Sequence, residues 1–91
     1  MSLKVEVVAA DRTVYTGEAT LVSARSVDGD LGIMPGHTPI FTILGPGTIA
    51  LKEPDGTART AVVDGGFLSV EHDTVTIVAE HVEVDADSSR A

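Results

Sequence analysis

Apolar residues recur in this chain with a period of two, and clusters of glycine, proline and aspartate interrupt them every few residues. Leu3, Val5 and Val7 alternate with Lys4 and Glu6, the spacing of a strand with one face on a core. The alternation continues over residues 12–17 and 19–27, parted at Gly17-Glu18, and over residues 38–44, ended by Gly45-Pro46-Gly47. Residues 48–53 and 57–63 flank Pro54-Asp55-Gly56, whose proline and glycine preset the dihedrals of a hairpin turn. After Asp64-Gly65-Gly66 come residues 67–71, the turn His72-Asp73, residues 74–79 with Val75 and Ile77 on one face, and a short strand over 81–84. No segment has a helical period. The expected fold is all-β, an antiparallel β-sandwich or flattened barrel of about ten short strands. One domain over residues 1–84 is expected, followed by a polar tail over 85–91.

At 91 residues with 43% hydrophobic content, the chain is long enough for one real core. Tyr15, Phe41 and Phe67 are its only aromatics, so that core must be built from Val, Ile, Leu and Ala. It has no cysteine, which removes disulfides, zinc–thiolate sites and thiol nucleophiles. The N-terminus lacks the basic-then-apolar order of a signal peptide, and no run approaches the ~18 apolar residues that span a bilayer. The chain is expected to be soluble, without direct lipid insertion. Six basic residues against fourteen acidic ones leave a net charge of −8. Lys4, Arg12, Arg25, Lys52, Arg59 and Arg90 are scattered singly, whereas nucleic-acid binding needs clustered cations that release counterions. Nucleic acid is therefore not an expected partner.

The densest segment runs Gly29-Asp30-Leu31-Gly32-Ile33-Met34-Pro35-Gly36-His37-Thr38-Pro39. Its glycines permit unusual dihedrals and its prolines remove donors, so a helix or a central strand is excluded. A shaped loop is expected, with Gly32, Pro35, Gly36 and Pro39 setting its course and Leu31, Ile33 and Met34 anchoring it in the core. Shaped loops on rigid scaffolds commonly carry recognition.

No reaction centre emerges. His37, His72 and His81 form no closely spaced ligand pair, so no metal is expected. Ser23, Ser26 and Ser69 lack a nucleophile-elbow context, and in Gly45-Pro46-Gly47 the proline lacks an amide donor and no phosphate-loop lysine follows. No catalytic residue and no cofactor are expected. A carbohydrate-binding sandwich is the alternative function, although stacking aromatics for it are scarce.

Four ordered blocks resemble the epsilon-subunit family of F-type ATP synthases, in its N-terminal β-sandwich domain. They are Val5-Glu6-Val7-Val8-Ala9-Ala10-Asp11-Arg12, the Gly29-to-Pro39 run through Pro46-Gly47, Gly65-Gly66-Phe67-Leu68-Ser69-Val70, and Val75-Thr76-Ile77-Val78-Ala79-Glu80. The resemblance implies a non-catalytic rotor part of the central stalk, coupling proton flow to ATP synthesis. Its implied partners are the gamma subunit and the membrane c-ring, with the alpha/beta hexamer engaged only indirectly. The implied location is peripheral, on the cytoplasmic face of a bacterial plasma membrane. Residue by residue, Asp28, Gly29, Asp30 and Leu31 match the edge that faces the c-ring, and Ala9, His37 and Thr42 match the surface that meets gamma. Typical family members continue into two C-terminal helices that inhibit hydrolysis and, in some, bind ATP through an [IL]-D-x-x-R-A motif. Here Asp87-Ser88-Ser89-Arg90-Ala91 keeps part of that motif, with Ala86 in place of the large aliphatic. Neither the helical brake nor ATP binding is expected of this chain.

Overall fold

Strands form wherever the alternation runs unbroken, and the turns fall where glycine, proline or aspartate interrupts it. The computed structural model describes residues 2–10, 12–27 and 29–85, so Met1, Asp11, Asp28 and residues 86–91 lie outside the described residues. Ten strands result. They are β1 (Leu3–Ala9), β2 (Arg12–Ala19), β3 (Leu21–Ser26), β4 (Gly29–Ile33), β5 (Ile40–Leu44), β6 (Gly47–Lys52), β7 (Ala58–Val63), β8 (Gly66–Glu71), β9 (Thr74–Val78) and β10 (Val82–Asp85). The last strand takes in Asp85, which the sequence reading assigned to the tail.

Hydrogen bonding links the strands in the order β10-β7-β6-β3-β5-β8-β9-β1-β2, with β4 attached to β3 alone. The sheet folds over on itself, forming a sandwich that closes far enough for β10 to approach β2. Most pairs are antiparallel, but β1 lies parallel to β9, with Val5 opposite Val75 and Val7 opposite Ile77. The purely antiparallel expectation is corrected at that one pair. The first strand enters between β2, the next strand in sequence, and β9, from the far end of the chain.

The core follows the alternation. Leu3, Val5 and Val7 are fully buried against Leu68, Val70, Val75 and Ile77, while Val22, Ile33, Ile49, Leu51, Ala61 and Val63 come from the other strands. Each such Val, Leu or Ile contributes about 1.5–3 kcal/mol through removal of apolar surface from water. Among the described residues Ser26 is the one buried polar side chain, and its hydroxyl donates to the Gly29 carbonyl at 2.9 Å.

Two expectations change here. Gly17 does not divide two strands but lies inside β2, opposite Val5, beneath the folded-back ring of Tyr15. A Cβ there would sit 2.5 Å from the Tyr15 oxygen, so the glycine makes room for the ring. The first half of the glycine-rich run is not loop but the edge strand β4, because an edge position tolerates glycine that a central strand would not.

Tyr15 braces β2 to the β6–β7 hairpin. Its hydroxyl donates to Glu53 at 2.9 Å, Arg59 pairs with the same carboxylate, and the Arg59 guanidinium lies 5.8 Å above the ring. Desolvation, followed by the bond to Glu53, pushes the phenol up to about 12. The neutral phenol is therefore favoured by folding. Its contribution is complete below the ordinary value of 10.0 and disappears as pH rises through about 12. Tyr15→Phe is expected to cost about 1 kcal/mol at neutral pH and to flatten the alkaline limb. Denaturant unfolding on both sides of pH 10 checks this.

Gly66 is sterically required. With φ of 124°, a Cβ at this position would lie 2.0 Å from the Val78 carbonyl oxygen. Gly66→Ala should destabilise by about 3 kcal/mol or more, from overpacking plus strain. Gly45→Ala, facing open space, should stay within about 0.5 kcal/mol. Comparing the two unfolding free energies is the check.

Candidate functional site

The loop after β4 is held by a carboxylate from another part of the chain. Residues 34–39 leave the sheet, and the His37 N–H donates to the Met34 carbonyl at 3.1 Å, closing a turn around Pro35-Gly36. The Gly36 N–H donates to Asp73 Oδ1 at 2.8 Å. Asp73 is in the tight β8–β9 turn, where His72 and Asp73 have φ of 52° and 58°. Both signs are those of a type I′ turn, which usually employs asparagine and glycine. Asp73 also accepts the Lys4 N–H on its carbonyl at 2.8 Å, so one turn secures both the loop and the start of β1. Gly36 has φ of 88°, a conformation that resists side chains. Asp73→Ala should lose about 2 kcal/mol, from one charge-assisted bond plus left-handed strain. Asp73→Asn, which keeps the acceptor, should lose little. Unfolding free energies and Gly36 amide exchange distinguish them.

The residues expected at a gamma-facing surface are placed differently from one another. His37 is half-buried, with its ring Nδ1 2.6 Å from the Thr38 carbonyl, to which it donates. Ala9 is only 7% exposed and belongs to the core. Thr42 falls in register with Ile40 and Leu44 on the inner side of β5, opposite Leu68. Met34 does not anchor the loop, because it is 61% exposed while Ile33 alone takes the core position. Met34 directly follows the inward-facing Ile33, so the period-two alternation turns it outward.

Next to those residues the sheet presents an apolar outer face. Ile43 pairs with Phe67, Phe67 with Val78 and Val78 with Val8, so a single apolar rung crosses β5, β8, β9 and β1. Phe41 lies two residues from Ile43 on the same side of β5, and its ring meets that of Phe67 at 5.1 Å. Val27 extends the face, with its N–H bonded to the Ile43 carbonyl. Phe41, Ile43 and Val27 are 64%, 50% and 66% exposed. Two of the three aromatic side chains therefore stand outside the core of a protein that has few to spare. A contiguous exposed apolar face of this kind marks an interaction surface. The sequence showed the alternation but not that outward Ile43 and Phe67 line up in one apolar rung across strands, since that depends on register.

Gly29, Asp30 and Leu31 form β4 at the sheet edge, and Asp28 lies outside the described residues. Asp30 pairs with Arg25 at 3.1 Å, both largely exposed. Such a surface pair contributes ~1 kcal/mol or less.

Two open grooves flank these surfaces. One is lined by Ser23, Arg25, Asp30, Leu31, Pro46 and Thr48, and contains no histidine or other base beside its hydroxyls except Asp30. The other, lined by Ala9, Arg12, Val62, Asp64, His81 and Glu83, contains a histidine–aspartate pair but no nucleophile. His81 Nδ1 is 2.9 Å from Asp64 Oδ2, and the His81 N–H donates to Oδ1 at 3.2 Å. These bonds hold the Asp64 carboxyl below its usual range and raise the His81 imidazole above its own. The pair is fully charged above the carboxylate range and below the raised imidazole value. In Asp64→Asn, the His81 titration followed by NMR should fall back toward the ordinary histidine range. Among the described residues no three His, Cys, Asp or Glu groups come together as a metal-binding set.

Fold and surface thus define a class of protein, an all-β scaffold whose notable features are faces and edges rather than a reaction centre. The family model of the ATP synthase delta/epsilon chain β-sandwich domain matches residues 2–85, and the chain belongs to this family. It is 48% identical over 77 residues to the ATP synthase epsilon chain of Micrococcus luteus, covering 85% of each chain. It is 45% identical over 91 residues to that of Streptomyces avermitilis, covering 98% of this chain and 73% of the relative. Among solved structures, a chain in the Euglena gracilis mitochondrial ATP synthase superposes with a TM-score of 0.86 at 19% identity, covering 98% of this chain and 58% of that one. A chain from the Tetrahymena thermophila mitochondrial ATP synthase central stalk and c-ring superposes with a TM-score of 0.72 at 15% identity, covering 91% and 66%. The likeness to these two structures concerns the fold alone.

Proposed function

We propose that this chain is a non-catalytic subunit of the central stalk of an F-type ATP synthase, joining gamma to the c-ring so that rotation driven by proton flow reaches the catalytic hexamer. The observation that carries this reading is the outward-facing rung Ile43–Phe67–Val78–Val8, exposed at Ile43 and half-buried at the other three, with the exposed Phe41 and Val27 beside it, in a chain that belongs to the epsilon-chain family. Gamma is assigned to that outer face. Ala9 and Thr42 are then reached through their outward neighbours Val8, Phe41 and Ile43, and His37 borders the face from the loop. The c-ring is assigned to the β4 edge, with Asp28, Gly29, Asp30 and Leu31 toward it. The chain would work at the cytoplasmic face of a bacterial plasma membrane as a peripheral part of the complex.

The carbohydrate-binding alternative finds less support. Phe41 and Phe67 pack on each other with a 32° tilt instead of offering separate flat platforms, and Ile43 and Val27 adjoin them where a sugar site needs polar groups. Phe41→Asp should weaken gamma binding by about 10- to 100-fold, the range for an interface anchor, with little change in melting temperature because the side chain is exposed. Titration calorimetry with purified gamma measures it. Unchanged affinity would remove the outer face from the proposal.

A further inference from the structure

We propose that β4 is an open strand edge that accepts an extended, basic segment of a partner protein by backbone hydrogen bonding. The proposal rests on the reading that the Gly29–Leu31 edge faces a partner, and adds how that contact is made. The direction of the β4 backbone follows from bonds on the far side of β3. The Arg25 carbonyl accepts the Gly45 N–H at 3.1 Å, and the Val27 N–H donates to the Ile43 carbonyl at 3.0 Å. Arg25 therefore turns its backbone toward β5. Its cross-strand partner Asp30 stands in a non-hydrogen-bonded pair, as does Gly32 opposite Ser23. The N–H and C=O groups of Asp30 and Gly32 consequently point away from β3, and among the described residues β4 pairs with no other strand.

Natural sheets protect such edges with proline, lysine or bulges. β4 contains none of these. Asp30 is its one charged side chain, and Arg25 draws that carboxylate back toward β3. Gly32 presents no side chain, and nothing lies within 4 Å of where its Cβ would be. A second backbone can thus approach to the ~4.8 Å of a sheet neighbour, the geometry of strand addition. A second copy of this chain is disfavoured as occupant, since each copy has a net charge of −8. The same charge attracts a basic segment.

The full chain, isotopically labelled, is titrated at low salt with a blocked octapeptide of alternating lysine and threonine, and in parallel with its glutamate counterpart. The lysine peptide should slow exchange of the Asp30 and Gly32 amides while leaving the already bonded Leu31 amide unchanged. The glutamate peptide should leave all three amides unchanged. Gly32→Pro removes an outward N–H without breaking the β3 ladder and should weaken the lysine peptide at least about 10-fold, while Gly32→Ala should bind as the parent does. Retained Leu31 protection and an unchanged melting temperature show that each variant is folded. Shifts along β4 without alternating protection would overturn strand addition yet leave the edge as a contact, whereas no response anywhere on β4 would overturn both readings. Protection of Asp30 and Gly32 that rises with protein concentration alone would identify a second copy and also overturn the proposal.

Discussion

The register of β8 between β5 and β9 is the constraint on which the other features depend. Gly66 enters β8 so close to β9 that no side chain fits beneath the Val78 carbonyl, and the next residues are then committed. Leu68 and Val70 face the core and Phe67 faces out. A slip of one residue would bury Phe67 and expose Leu68, with every later side chain reversed. Strand β9 inherits this register, and β1 inherits it from β9 through their parallel pairing. The first strand of the chain is thus aligned by one of the last, and the outer rung exists only because all four strands agree.

Stability and recognition draw on opposite faces of the same strands. The inner face of β1, β8 and β9 forms the aliphatic core. The outer face keeps Phe41, Ile43 and Val27 largely in water, so it stabilises the isolated fold less than the inner face does. Such surface becomes favourable only when covered. The loop at Gly36 is tied by Asp73 to the turn at the end of β8, so the border of that face is held rigid by the element that fixes its register.

Much of this was legible in the sequence because period two is a strong signal when turns are marked by glycine, proline and aspartate. The hairpin at Pro54-Asp55-Gly56, the turn at His72-Asp73 and the inward pair Val75 and Ile77 all follow from local chemistry. What escaped depends on distant pairing. Strand β4 looked like loop because its glycines lower strand propensity, and only its attachment to β3 reveals the edge. Met34 looked like an anchor because it is apolar, but it follows the inward-facing Ile33 and so faces out. The family-matched positions Ala9 and Thr42 sit one residue away from the outward side chains, a distinction invisible until the register is known.

On the proposed reading, the outer rung is covered when the chain binds gamma. Solvent paramagnetic relaxation of labelled methyl groups, measured on the chain alone and in its complex with gamma, tests this directly. Strong relaxation of the Val27 and Ile43 methyls is expected in the free chain and its loss in the complex, with Val62, exposed on β7, strongly relaxed in both. Undiminished relaxation at Val27 and Ile43 in a formed complex would contradict it.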